Sequence, residues 1–349
     1  MLSQPRKRNR YPSLEYGLLE RLKPYLNFKP SKAYPFGIGD DAAVRQNREK
    51  EKIILTTDTL VEDTHFSLEY MTLRETGYKA MVSNISDCAA MGAMPESALV
   101  TVVFPAKHAH VLENRIKKIY EGLYDACLQW DTRIIGGDTI AGPCWIISIT
   151  LIGRALGRVL KRGQAKPGDS LWVTGMPGES AAGLAAIRKW GRKRAMPRFQ
   201  TLIDRHVRPQ PRVEYGAWLA GNRYVHACID VSDGISKECA TMAYDSGCGI
   251  ILELDSLPFS HEMIQLGDAC KTSPREWFLH GGEDYELLWS AAPRFVPAFD
   301  LCNATRIGTV TDKASGVSVR QPEGGAVRIV SKGWDHLEKN GESENTLQT

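Results

Sequence analysis

The 349-residue sequence is marked first by what it lacks. It has no C-x-x-C pair, and its eight cysteines, at 88, 127, 144, 228, 239, 248, 270 and 302, form no dense framework. That spacing excludes a disulfide scaffold or a zinc ribbon and suits reduced thiols packed as small hydrophobes. No run reaches the roughly 18 apolar residues needed to span a bilayer, and the N-terminal stretch has no continuous apolar core of a secretory signal. No membrane association is expected, and a cytoplasmic location is. With 44 basic and 41 acidic residues the formal charge is only +3. No basic patch interleaved with aromatics occurs, so nucleic acid is not an expected partner. The cationic run at Arg6, Lys7, Arg8 and Arg10 reads as a frayed tail. Three phosphate-handling signatures are missing too: G-x-x-x-x-G-K-[ST], a G-x-G-x-x-G after a strand, and paired H-R-D and D-F-G motifs.

What is present is a set of acidic residues in unusual company. GIGDDAAV places Asp40 beside Asp41, TTDTLVEDTHF carries Asp58, Glu62, Asp63 and His65, and NISDCAAMGAMP carries Asp87. IIGGDT carries Asp138, IDVSDGIS carries Asp230 and Asp233, and HGGEDYELL carries Glu283, Asp284 and Glu286. These acids lie beside Gly, Ala, Ser or Thr, mostly after apolar runs, with almost no basic neighbours in sequence. Buried carboxylates need neutralisation, so the pattern points to cations. Mg2+ takes oxygen ligands, commonly one or two carboxylates plus waters and substrate phosphates. Acids from these separate segments therefore suggest several Mg2+ ions around a polyphosphate. His108 and His110 lack a third ligand at zinc spacing and read as a solvated loop.

The element pattern is α/β (α+β) in two domains. Up to about residue 155, LEYGLLERL reads as a helix, KIILTTD as a strand, LRETGYKAMVSNISDCAAMG as a helix, SALVTVVF as a strand and VLENRIKKIYEGLYDACLQW as a helix. The strands RIIGGD and CWIISITLIG follow. After a Gly- and Lys-rich break at GRVLKRGQAKPGD, a second α/β unit runs through SLWVTG, GESAAGLAAIRKW, RVEYGAWLAG, HACID, GISKECATMAYDSG, GIILELD, YELLWSA, ATRIGTV and GVSVR. The expected domains are 1–155 and 156–337, with a polar, disordered tail at 338–349. MPGES after SLWVTG reads as a loop entering a helix N-terminus, a weak anion-site signal without a lysine.

Helical spacing puts Asp87 with Ala80, Asn84 and Met91 on one largely apolar face, so it is buried or on a cleft wall, as a cap for a neighbouring amide or as a metal ligand. Asp230 is expected at the carboxyl end of a strand, where open α/β sheets bind ligands. Asp233 fits either a helix N-cap, a role Ser232 could also fill, or a ligand. Asp138 is placed like Asp230, after glycines that let a ligand approach the backbone.

The motifs GIGDDAAV, TTDTLVEDTHF, NISDCAAMGAMP, GGDT, AKPGDSLWVTGMPGESAAGL, IDVSDGIS, GGEDYELL and KGWDHL, in this order and over nearly the whole chain, resemble the thiamine-monophosphate kinases. The resemblance implies a fold similar to aminoimidazole ribonucleotide synthetase, with N-terminal domains pairing through a sheet into a homodimer. It implies transfer of phosphate from ATP to thiamine monophosphate, giving thiamine diphosphate, in line and with several Mg2+ ions. Carried over by position, it implies a magnesium set of Asp41, Thr57, Asp58, Asp87, Asp138, Asp230 and Asp233, with Asp87, Asp138 and Asp230 central to catalysis. Gly137, Asp138, Arg162 and Ser232 would contact ATP, and His65, Glu283 and Trp334 the substrate, Trp334 offering its face to the rings, one of them cationic. The sequence departs from the family at Asp63, usually Gly, and at Ala141, often basic.

Two other readings stay open. Relatives of the same architecture differ in key cysteines: the selenophosphate branch would need one near the N-terminus, but the first here is Cys88. The hydrogenase-maturation branch would end in one, but this chain ends NTLQT. A non-catalytic nucleotide or thiamine-phosphate sensor would have lost acids, and none is lost here.

Overall fold

The structure, a computed structural model, describes residues 32, 40–46, 51–105, 112–155, 157–312, 316–321 and 325–334. Gly37, Gly39, the basic run at 6–10, the helix expected at 14–22, His108, His110 and the tail at 338–349 lie outside the described residues.

Two sheets flank a central helix. The first has the order β1-β2-β5-β3-β4, with β1 Ala43–Gln46, β2 Lys52–Val61, β3 Met94–Pro105, β4 Arg133–Gly142 and β5 Ile146–Ala155. Only β3 and β4 run parallel; the other pairs are antiparallel. Period-2 alternation buries Ile147, Ile149 and Leu151 of β5 against α1 (Leu73–Ala90), while Thr150 faces water. Along β2 the same alternation sends Ile54, Thr56, Asp58 and Leu60 to one face.

Helix α1 begins at a capping box. The Thr72 hydroxyl accepts from the Glu75 amide at 3.2 Å, and the Glu75 carboxylate accepts from the Thr72 amide at 2.8 Å. Apolar residues occur all round the helix rather than in one stripe, so it is buried on every side beyond its first turn. It packs on α2 (Leu112–Gln129), on β2 and β5, and on β7 (Val225–Val231) and α5 (Val213–Gly221) of the second unit. Contact with α2 is close because Gly77 and Gly122 face it: a Cβ at either would run into the Ile119 or the Arg74 carbonyl oxygen.

The second sheet has the order β12-β11-β8-β10-β6-β9-β7. Its strands are β6 Ser170–Thr174, β7, β8 Gly249–Glu253, β9 Glu286–Ala291, β10 Ala304–Thr311, β11 Gly316–Gln321 and β12 Gly325–Arg328. Only β8 and β11 pair in parallel. Helices α3 Glu179–Trp190, α4 Arg192–Val207, α6 Ile235–Ser246, α7 His261–Cys270 and α8 Pro274–His280 complete the unit. The main core is continuous from Ile54 and Ile85 in the first unit to Leu287 and Trp289 in the second, so α1 is a shared spine. An Arg192–Glu75 ion pair at 2.6 Å ties the start of α4 to the start of α1. All eight cysteines are free, and five are buried. No helix among the described residues is long and apolar enough to cross a membrane.

Candidate functional site

A cleft of ≈ 540 Å³ opens between the two sheets. Strand β2 delivers Thr56 and Asp58 to it from one face, with Thr57 at its border and the Thr57 hydroxyl donating to Ile149 O at 2.9 Å, and α1 delivers Ser83 and Asp87. The loop after β7 brings Ser232 and Asp233, following Asp230 at the strand's end, and the loop before β9 brings Gly281, Gly282 and Glu283. These loops are stitched together: the Glu283 amide donates to Ser232 O at 2.6 Å, Tyr285 N to Val231 O at 2.9 Å and Trp334 N to Asp233 O at 3.1 Å.

Four separate segments thus place Asp41, Asp58, Asp87, Asp230 and Asp233 on one wall. The Thr56 hydroxyl donates to Asp87 Oδ2, and the Ser86 hydroxyl to Asp230 Oδ2 at 2.7 Å. Asp41 takes the Arg162 guanidinium at 3.3 Å on Oδ1, while its buried Oδ2 has no partner among the described residues. Burial, with repulsion from Asp230 and Asp58, pushes the Asp87 carboxyl well above its usual range. Burial also lifts Asp41 strongly despite Arg162, and raises Asp230 to about 7 despite the Ser86 hydrogen bond. Glu238, which sequence reading overlooks, accepts from the Asp233 amide at 2.9 Å and is likewise raised by burial and by Asp233 and Asp230.

Hard oxygen donors, mutually raised carboxyls and an orphaned Asp41 oxygen suit a divalent cation. Among the described residues, no three of His, Cys, Asp and Glu form a closed metal site. That is compatible with Mg2+, which draws on few carboxylates and on substrate oxygens.

At the other end the cleft is lined by Leu60, Tyr70, Ala181, Leu184, Arg188 and His206. Trp334 and His65 also border the cleft; His65 Nδ1 accepts from the Val61 amide at 3.1 Å. Arg162 does not line it, being held by Asp245 at 2.8 Å as well as by Asp41.

Several expectations need correction. The acids of GGEDYELL do have partners, supplied from far away in sequence: Lys79 lies 2.8 Å from Glu283 Oε1, and Arg212 grips Glu286 at 2.5 and 2.6 Å. Asp284 fills the N-terminus of α3 itself, accepting from Gly178 N at 2.7 Å and Ser180 N at 3.2 Å, so the MPGES loop is occupied by an internal carboxyl, which burial raises well above its usual range despite those amides. The cap before α6 is Gly234, at φ 109°, so neither Ser232 nor Asp233 serves as the N-cap. Strand β4 continues past Asp138 to Gly142, which puts Asp138 and Gly137 in mid-strand on an exposed edge, outside the cleft lining. The space a Gly137 Cβ would need is filled by the Val100 backbone, so that glycine serves strand packing. Asp63 adopts φ 63°, a conformation Gly favours and Asp tolerates, with its amide bonded to Phe66 O at 2.8 Å; Ala141 lies on β4.

Comparison with known proteins agrees with this architecture. Residues 39–157 match the AIR synthase related protein N-terminal domain, and 166–320 the corresponding C-terminal domain. The chain is 36% identical over 310 residues to the thiamine-monophosphate kinase of Salmonella typhimurium, covering 86% of this chain and 91% of that one. It is 34% identical over 311 residues to the Bacillus subtilis thiamine-monophosphate kinase, covering 86% and 93%. Among solved structures, AaThiL complexed with AMPPCP and TMP superposes with a TM-score of 0.79 at 32% identity, covering 92% of this chain and 96% of that one.

Proposed function

Since the chain belongs to the thiamine-monophosphate kinase family, within the AIR synthase related fold, we propose that it phosphorylates thiamine monophosphate from ATP, giving thiamine diphosphate and ADP. The observation that carries this reading is one cleft with two kinds of lining: the acids Asp41, Asp58, Asp87, Asp230 and Asp233, suited to phosphates and cations, and Tyr70, Leu184 and His206, suited to a ring.

An acceptor phosphate oxygen is already ionised near neutral pH and needs no strong base. In a direct transfer it bonds to the γ-phosphorus as the bond to the ADP oxygen breaks, with the two oxygens in line. The difficulty is bringing two polyanions together. Asp41, Thr57, Asp58, Asp87, Asp230 and Asp233 are the residues we assign to Mg2+, which when bound offsets that repulsion. The chain's own work is positioning. Ser86 and Thr56 hold the Asp230 and Asp87 carboxylates, and Glu238 pins the Asp233 amide. We keep Ser232 for ATP and His65, Glu283 and Trp334 for the substrate, all four on the cleft wall. Arg162 acts on the site through Asp41.

Gly137 and Asp138 belong to the exposed edge strand, which we assign to the homodimer contact. Leu99, Ile135 and Ile140 leave 44%, 60% and 46% of their surface open there, next to a strand edge that is unpaired among the described residues. Pairing with a second copy would cover both residues. Ile135→Asp combined with Ile140→Asp should shift the chain to monomer in sedimentation; an unchanged mass would place the contact elsewhere.

The central test is incubation of purified chain with ATP, Mg2+ and thiamine monophosphate, following thiamine diphosphate against a free-thiamine control. Product only from the monophosphate is expected. Product from free thiamine alone redirects the reading to a different kinase.

A further inference from the structure

A lysine sits in the first turn of α6, where the helix dipole favours anions. Lys237 lies one residue past the IDVSDGIS motif, and its side chain is 10% exposed. Its ammonium donates to Asp233 Oδ2 at 2.7 Å, four residues back, and to the backbone oxygen of Trp334 at 2.6 Å, 97 residues on. The first bond offsets the dipole. The second holds a segment from another part of the sequence.

Residues 329–334 belong to no helix or strand, so side contacts fix them. They lie against the start of α6: Ser331 Oγ is 3.3 Å from Ser236 Oγ, the Lys332 amide donates to His280 Nδ1 at 3.4 Å, and the Trp334 amide donates to Asp233 O at 3.1 Å. At position 333 only glycine fits, because a Cβ there would stand 2.6 Å from Asp233 O and 2.8 Å from Lys237 Cβ. Trp334, which borders the cleft, is thus held through both its backbone polar groups. Of these bonds the one from the ammonium is charge-assisted and so the strongest.

We propose that Lys237 is a positioning residue that clamps the Trp334 segment against Asp233, so that one ammonium joins a ring-binding residue to a cation-binding carboxylate. The inference rests on the roles assigned above to Trp334 and Asp233. Its two consequences differ in sign. Without the ammonium, Trp334 loses its strongest anchor and the substrate ring is held less well. Asp233, relieved of a competing positive charge, holds Mg2+ at least as well as before. A general loosening of the loop would weaken both.

The test follows KM for thiamine monophosphate in the full chain with saturating ATP and Mg2+, and separately the Mg2+ concentration at the midpoint of its stabilisation, read by thermal melting without substrates. Lys237→Met should raise KM about tenfold and leave the Mg2+ midpoint unchanged or up to about threefold lower. Lys237→Arg, which keeps the charge and two donors, should return KM to within about threefold of wild type. Placed on Trp334→Ala, Lys237→Met should add less than about twofold to KM, because the lysine acts through that residue. A folded Lys237→Met with wild-type KM overturns the inference, as does a rise in both KM and the Mg2+ midpoint, or the full loss repeated on Trp334→Ala. Should Lys237→Met not fold, Gly333→Ala decides, since its Cβ pushes the segment away from Lys237 and leaves the ion pair with Asp233: a raised KM with an unchanged Mg2+ midpoint supports the inference, and any other pattern overturns it. A wild type that makes no product from thiamine monophosphate sinks the substrate reading instead.

Discussion

At the acidic end of the cleft, Asp41, Asp87 and Asp230 are buried against one another, with Arg162 and the Thr56 and Ser86 hydroxyls as the relief the described residues show, and burial raises all three. At the ring end, Glu283 has Lys79 within 2.8 Å, and the next two acids in its segment, Asp284 and Glu286, are satisfied by backbone amides and by Arg212. Both ends use carboxylates, so residue type does not separate them. What separates Asp41, Asp87 and Asp230 from Glu283 and Glu286 is how much counter-charge the chain provides; Asp233, with Lys237 at 2.7 Å, and Asp284, raised by burial despite its two amides, fall between. An end left short of positive charge is completed by what binds there; an end already balanced recognises shape and hydrogen-bonding pattern.

The sharpest way to break this contrast is at Asp87 and Asp230. Asp87→Asn or Asp230→Asn should lower kcat by about three orders of magnitude, as expected for losing an oxygen that holds a charge-neutralising ion. Neither should lower the melting temperature at pH 8, because each removes a charge the folded chain holds at a cost. Near-normal kcat in both variants would remove them from the cation-binding wall.

Lys79→Met probes the other end and should act in reverse. It strands the Glu283 carboxylate, so KM for thiamine monophosphate should rise about tenfold while KM for ATP holds. The melting temperature should fall, with a stability loss smaller than the about 3–5 kcal/mol of a fully buried pair because the Glu283 side chain is 27% exposed on the cleft. A variant as stable as wild type with an unchanged KM would show that Glu283 does not depend on Lys79.

The smallest effect is a dependence on pH. Asp41, Asp87, Asp230 and Glu238 have raised values when folded, so their contribution to stability is fullest below the ordinary carboxylate range near 4. It is lost as pH climbs through the raised values, one of them about 7. Mg2+ binds the ionised forms. Its stabilisation should therefore exceed by about 2 °C or more at pH 8 that at pH 5.5, read by thermal melting. An equal gain at both values would uncouple the cluster from the ion.

Most of the elements were legible because their signals are local: the TLRE capping box, the alternation of IISITLIG, and the apolar run of HACID before Asp230. Helix α4 was not, because Pro197 interrupts it and Phe199 leaves helical geometry. Its buried Phe199, Leu202, Ile203 and His206 still trace one face, and that stripe was the available sign of His206. The acidic motifs announced a cluster, yet sequence alone could not separate neutralised acids from unneutralised ones. Lys79 precedes Glu283 by 204 residues and Arg212 precedes Glu286 by 74, so only folding brings each pair together. Asp138 was misplaced for the opposite reason: Gly136 and Gly137 look like the end of a strand, whereas the chain stays extended to Gly142.

Lys79 and Asp87 stand eight residues apart on α1, a rise of about 12 Å along a helix enclosed by two sheets. In the function proposed above, that helix is a ruler with one mark beneath the ring and the other beneath the phosphate, and its length cannot adjust to what is measured. On that reading a phosphate ester whose linker is a few bonds longer or shorter would satisfy one mark only, and the site would gauge its substrate by reach as well as by chemistry.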